Sequence, residues 1–100
     1  MIVVAGTVPV RPDRREEAIR VALTMAEATR AEKGCINYRF HADLADPNLF
    51  LIFEEWESDD ALATHFATEH MRVFREALPG LVGGAPSIHR YVVSEKVKMM

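Results

Sequence analysis

The sequence predicts a single α+β domain, residues 1–100, of the ferredoxin-like βαββαβ type: a four-stranded antiparallel sheet with its helices on one face. Three features carry this expectation. β-branched and aromatic runs alternate with segments apolar at helical spacing, in the order strand, helix, strand, strand, helix, strand. Turn chemistry falls between them, at Arg11-Pro12-Asp13, Gly34, Asp46-Pro47-Asn48 and Gly83-Gly84-Ala85-Pro86. Of the 100 residues, 49% are hydrophobic. A domain this small buries only about two-thirds of its unfolded surface, so the excess points to a subunit interface.

Residues 2–8 are rich in Val and Ile and are closed by Pro9, which suits a first strand. Asp13 is expected to start the first helix, with Glu16 completing a capping box. Ala18, Ile19, Ala22, Leu23 and Ala26 mark its inner face, and Lys33 followed by Gly34 marks its end. Residues 35–42 alternate Ile36, Tyr38 and Phe40 with polar neighbours, the pattern of a half-buried strand. Residues 49–56 form a third strand whose first five residues are apolar on both faces, and such a strand needs cover on both sides. Ser58 caps the next helix, with Leu62 and Phe66 as its inner ridge, and Thr68 caps a further short helix that turns Val73, Phe74, Ala77 and Leu78 inward. Pro79-Gly80 stops it, and residues 87–97 complete the sheet. Helices on one face leave the other to be covered by a second copy, so a two-fold homodimer is expected.

The net charge of −3 has its cations spread out, which speaks against a nucleic-acid partner. No apolar run approaches the ~20 residues that span a bilayer, so no membrane is expected. The first ten residues lack the basic start and cleavage site of a secretory signal. Cys35 is the only cysteine, which excludes an internal disulfide and a cysteine metal cluster and fits a cytoplasmic protein. It follows the end of a helix, where a thiolate is disfavoured, and reads as a small packed residue.

The stretch 50–74 holds the most chemistry: Trp56, His65 and His70, with Arg75 just beyond, among apolar neighbours. A small apolar pocket with a few convergent polar groups is what a small-molecule site needs. Trp56 shares a strand face with Phe50, Ile52 and Glu54. Its bland role is a core anchor and its functional role a wall for a flat ligand. Glu54 points inward, where a charge is rarely left unpaired, and is expected to pair with an arginine or to serve as an alternative base. His65 and His70 are about 140° apart on a continuous helix and share a face only where the chain breaks at Thr68. No third ligand stands at suitable spacing, so no metal is expected. His41, His89, Tyr38 and Tyr91 read as ordinary strand residues.

Gly34-Cys35-Ile36-Asn37-Tyr38, Glu54-Glu55-Trp56-Glu57-Ser58, His65, Thr68, His70-Met71 and Phe74 stand at separations that resemble the antibiotic biosynthesis monooxygenase family, most closely its quinol-monooxygenase-like members. The resemblance implies a dimeric α+β barrel and an oxidation of a quinol or polycyclic phenol by O₂ without cofactor. It implies roles for Trp56 and Arg75 in orienting the substrate. Anthrone-oxidising members also carry an Asn where this chain has Ile52, so their substrate need not be shared. The haem-degrading members' residues are absent: Gly6 or Thr7, His65 and Arg75 occupy those places.

This chemistry needs a base, an oxyanion donor and a dry apolar box. His65 is the first choice of base, acting with Trp56 and Arg75, while Ile52, Glu54, Leu62, Phe66, His70 and Phe74 line the substrate site. The expected partners are a small aromatic substrate and O₂. The alternatives are an isomerase of the same fold using the same base, or a dimeric metabolite-binding or stress module without turnover.

Overall fold

The computed structural model describes Met1–Met100 and has the expected order, with the second helix divided in two. Strands β1 (Ile2–Pro9), β2 (Cys35–Ala42), β3 (Leu49–Trp56) and β4 (Ser87–Val92) form one antiparallel sheet ordered β2-β3-β1-β4. Helix α1 (Arg15–Arg30) follows β1, and α2 (Asp59–Phe66) and α3 (Glu69–Ala77) follow β3. The register pairs Ile2 with Trp56, Val4 with Glu54 and Val8 with Phe50. Directly paired residues share a face, and this is the face the helices cover. Ile2, Val4, Tyr38, Ile52 and Trp56 meet Met25, Ala26 and Leu62 in the larger core cluster; Val8, Val10, Phe50, Ala18 and Leu81 form the smaller one.

Gly6 lies on the same face, where β4 crosses so close that an added Cβ would sit 2.1 Å from the Ser87 carbonyl oxygen and 2.6 Å from Ile88 Cα. The absent side chain is therefore what admits β4 to the sheet.

Several boundaries differ from those the sequence predicts, each for a local reason. Helix α1 begins at Arg15, after a 3-10 turn started by Pro12, and Asp13 makes no capping box. Its carboxylate is held instead by Arg11, at 3.1 Å from Nε and 2.7 Å from Nη2. The helix ends at Arg30, short of Lys33, and Gly34 at φ +88° redirects the chain. The inner stripe is Ala18, Ala22, Met25, Ala26 and Thr29, while Leu23 is 61% exposed. Thr29 is tolerated inside because its hydroxyl donates to the Met25 carbonyl at 2.7 Å. Phe66 and Val73 face outward, because His65 and Phe74 take the inner positions of α2 and α3. Strand β4 stops at Val92 rather than residue 97, and all six of its residues are exposed.

The opposite sheet face carries Leu51 and Phe53 of β3 beside Ala5 and Thr7 of β1, with Tyr91 and His89 of β4 and His41 of β2 at the flanks. No helix covers it. The two-sided apolarity of β3 is thus resolved as one face under the helices and one open.

Candidate active site

The end of β3 supplies the floor of the site. Residues two apart on a strand share a face, so Glu54 and Trp56 both point under the helices. Trp56 is fully buried, and its Nε1 donates to Glu54 Oε1 at 2.9 Å. The partner of Glu54 is therefore an indole and not an arginine. Burial pushes the Glu54 carboxyl up to about 7; the indole hydrogen bond opposes this and the charge of Glu32 adds to it. Burial also drives the Tyr38 phenol upward, reinforced by Glu54.

Ser58 starts α2 by accepting from the Ala61 amide at 3.1 Å, and the three-residue spacing then sends Leu62 and His65 to the same inner face. His65 is 1% exposed, with its ring 4.8 Å from Trp56 and 5.6 Å from Tyr38, centre to centre. Burial holds its pKa below the ordinary 6.5 although the bond to Glu32 works the other way. Burial thus favours the neutral imidazole.

The break at Thr68 decides the rest. Its hydroxyl donates to the His65 carbonyl at 2.7 Å and accepts from the Met71 amide at 3.3 Å, closing α2 and capping α3. The turn swings His70 back beside His65, the condition under which the two could share a face. Glu32, in the turn after α1, meets both: its Oε2 lies 2.7 Å from His65 Nδ1 and 2.7 Å from His70 Nε2. A carboxylate oxygen only accepts, so when both rings are neutral the protons sit on these two nitrogens. His65 Nε2 and His70 Nδ1 are then the nitrogens with free lone pairs.

A groove of about 700 Å³ between α1 and α3 reaches this trio at His70. Val21, Met25, Phe74 and Ala77 line its wall, and Arg20 and His70 stand at its edge. His70 is the imidazole that borders the groove, with a side chain 26% exposed, and His65 lies behind it.

The structure therefore gathers Ile52, Glu54, Trp56, Leu62, His65, His70 and Phe74 into one neighbourhood, with Ile52 and Leu62 packed in the core. Two residues stand apart. Phe66 is 47% exposed, although its ring is 5.6 Å from that of His65. Arg75 is exposed and donates to the Phe66 carbonyl at 3.1 Å, satisfying the C-terminus of α2. Glu32 is the residue that sequence reasoning missed. Thirty-three residues separate it from His65, and no local spacing joins a turn after the first helix to the break in the second.

The model of the family described as antibiotic biosynthesis monooxygenase matches residues 1–77. The chain belongs to this family. The antibiotic biosynthesis monooxygenase match spans Glu32, Glu54, Trp56, His65 and His70 and stops before β4. Among curated relatives, the protein sll1783 of Synechocystis is 42% identical over 94% of this chain. This chain spans 64% of that relative's length. The Bacillus subtilis protein named "Putative monooxygenase YcnE" is 31% identical over 74% of this chain and 78% of its own. A crystal structure of a "putative antibiotic biosynthesis monooxygenase" from Deinococcus radiodurans superposes with a TM-score of 0.92 at 31% identity, covering 100% of this chain and 99% of that one. No helix of this family member is long and apolar enough to cross a membrane.

Proposed function

We propose that this chain oxidises an electron-rich quinol or polycyclic phenol with O₂, without metal or flavin in the reaction. The observation that carries the reading is the carboxylate of Glu32 shared by two imidazoles, one of which, His70, borders a largely apolar groove. His70 Nδ1 takes the phenolic proton. Glu32 fixes the tautomer and stabilises the imidazolium that forms, as an orienting carboxylate does for a histidine base. His65 holds that carboxylate from behind, and Trp56, Glu54, Ile52 and Leu62 make the floor rigid. Phe74 and Met25 offer a flat ligand an apolar wall.

The deprotonated substrate donates electrons to O₂. For an anthrone-type methylene, one O₂ is consumed. One of its oxygens remains as a carbonyl, and the other leaves with the two methylene hydrogens as water, so no external reductant is needed. The role of Arg75 in this scheme is to hold α2 against α3, through the Phe66 carbonyl.

The working unit in this reading is a cytoplasmic homodimer paired through the open sheet face, where Leu51 and Phe53 lie uncovered. Light scattering at low micromolar concentration tests it, and a monomeric mass would remove the dimer from the proposal.

The experiment for the activity is aerobic against anaerobic turnover of quinols and anthrone-type phenols by chelator-treated protein, with autoxidation subtracted. Oxygen consumption well above autoxidation, lost in His70→Ala and in His65→Ala, is the expected result. Turnover that persists without O₂ would instead identify an isomerase. Saturable binding with no turnover under either condition would identify a binding module.

A further inference from the structure

We propose that Glu32, His65 and His70 form a binding site for one divalent transition cation. Two imidazole nitrogens and one carboxylate oxygen are a donor set that zinc and its first-row neighbours take, with open positions left for water or ligand. Here the donors come from three separate elements: the turn after α1, the end of α2 and the start of α3. Their atoms all lie within 4.8 Å of one another. No other group of three His, Cys, Asp or Glu side chains in the chain converges in this way.

The trio sits at hydrogen-bond spacing. Oε2 is 2.7 Å from each nitrogen, whereas ligand atoms about 2.0–2.1 Å from a metal stand roughly 3 Å apart or slightly more. Binding therefore moves the oxygen out by a few tenths of an ångström and draws the nitrogens together. The adjustment falls to the less enclosed partners. Glu32 stands in a turn and His70 borders the groove, with side chains 13% and 26% exposed. His65 is fixed between Trp56 and Tyr38 and acts as the anchor. The groove beside His70 provides the route of entry and room for the remaining coordination positions.

A cation on His65 Nδ1 and His70 Nε2 takes the lone pairs that the hydrogen-bonded form keeps protonated. In each neutral ring the proton then moves to the other nitrogen, so neither His65 Nε2 nor His70 Nδ1 can accept one. Metal binding and use of either imidazole as a base exclude each other. Binding itself is independent of the oxidation reading and is measured without substrate.

The test is calorimetric titration of the chelator-stripped full chain with Zn²⁺, and the visible spectrum with Co²⁺. We expect saturation at one ion per chain, Co²⁺ bands of a nitrogen- and oxygen-ligated site, and a Zn²⁺-dependent rise in Tm. Glu32→Gln and His70→Gln should each weaken Zn²⁺ by about tenfold or more and abolish the rise in Tm. Absence of saturable binding overturns the proposal. So does binding left unchanged by both substitutions but lost on replacing His41 or His89, which would put the ion on the open sheet face. Should one variant fail to fold, the other variant and the wild-type Co²⁺ spectrum still decide. Zinc binding with no oxidation of any substrate by the stripped protein would support this site and reject the oxidation, so the two readings fail separately.

Discussion

Glu54 makes the folded protein sensitive to pH in a direction opposite to that of most acidic residues. The residue is 7% exposed, and burial raises its carboxyl from 4.5 to about 7 in the folded state. Between those values the folded chain holds a proton that the unfolded chain has released. Stability therefore falls as pH rises through the window and levels off above it. At about 1.4 kcal/mol per tenfold change in proton affinity, the full effect is on the order of 3 kcal/mol. His65 acts oppositely. Its pKa is lowered in the folded state, so the unfolded chain binds the extra proton below about 6.5 and stability rises toward that pH. The wild-type profile alone mixes the two, and a difference between proteins separates them. Glu54→Gln keeps an oxygen for the Trp56 indole and cannot ionise. Urea unfolding followed by the fluorescence of Trp56, the single tryptophan, should show the two proteins similar near pH 4. The variant should be ahead by about 3 kcal/mol at pH 8. A gap between them that changes by less than ~0.5 kcal/mol across this range would refute the claim that Glu54 is carried neutral into the fold.

Other substitutions address separate parts of the structure. Gly6→Ala places a methyl group 2.1 Å from the Ser87 carbonyl oxygen, so β1 and β4 must part; a loss of about 1–3 kcal/mol or more in urea unfolding is expected. Thr68→Ala removes both the cap of α3 and the bond to the His65 carbonyl, and should cost about 1 kcal/mol while lowering turnover through a loosened His70. For the proposed homodimer, Phe53→Glu on the open sheet face should give a monomer by light scattering with its circular dichroism unchanged; a dimer that survives this change would place the interface elsewhere.

The fold was legible because each strand and helix announces itself locally. The Val- and Ile-rich run of β1, the alternation in β2 and the Ser58 and Thr68 caps each specify one element without reference to the others. The errors lie where two local signals compete. Asp13 is a good capping residue by type, but Arg11 is nearer to its carboxylate than any helix amide. Leu23 lies on the edge of an apolar stripe that small alanines complete without it. Phe66 and His65 are adjacent, and apolarity alone favours the wrong one. The imidazole is inside because a carboxylate waits there, and that carboxylate comes from another element.

The same competition explains why the candidate site was only half legible. His65, His70, Trp56 and Glu54 fall within a span of seventeen residues, and strand parity and the Thr68 break suffice to bring them together. Glu32 enters through tertiary geometry. The small residues of α1 let it pack close to the sheet, its end at Arg30 begins the turn, and Gly34 at φ +88° returns the chain into β2 with Glu32 facing the α2–α3 break. Its oxygen gives two buried or half-buried imidazoles a common acceptor, without which each ring would carry a donor into the interior with no partner. The group that fixes the two rings is thus the one their own segment lacks. Any chemistry of this site, proton transfer or metal binding, depends on how α1 ends as much as on the histidines themselves.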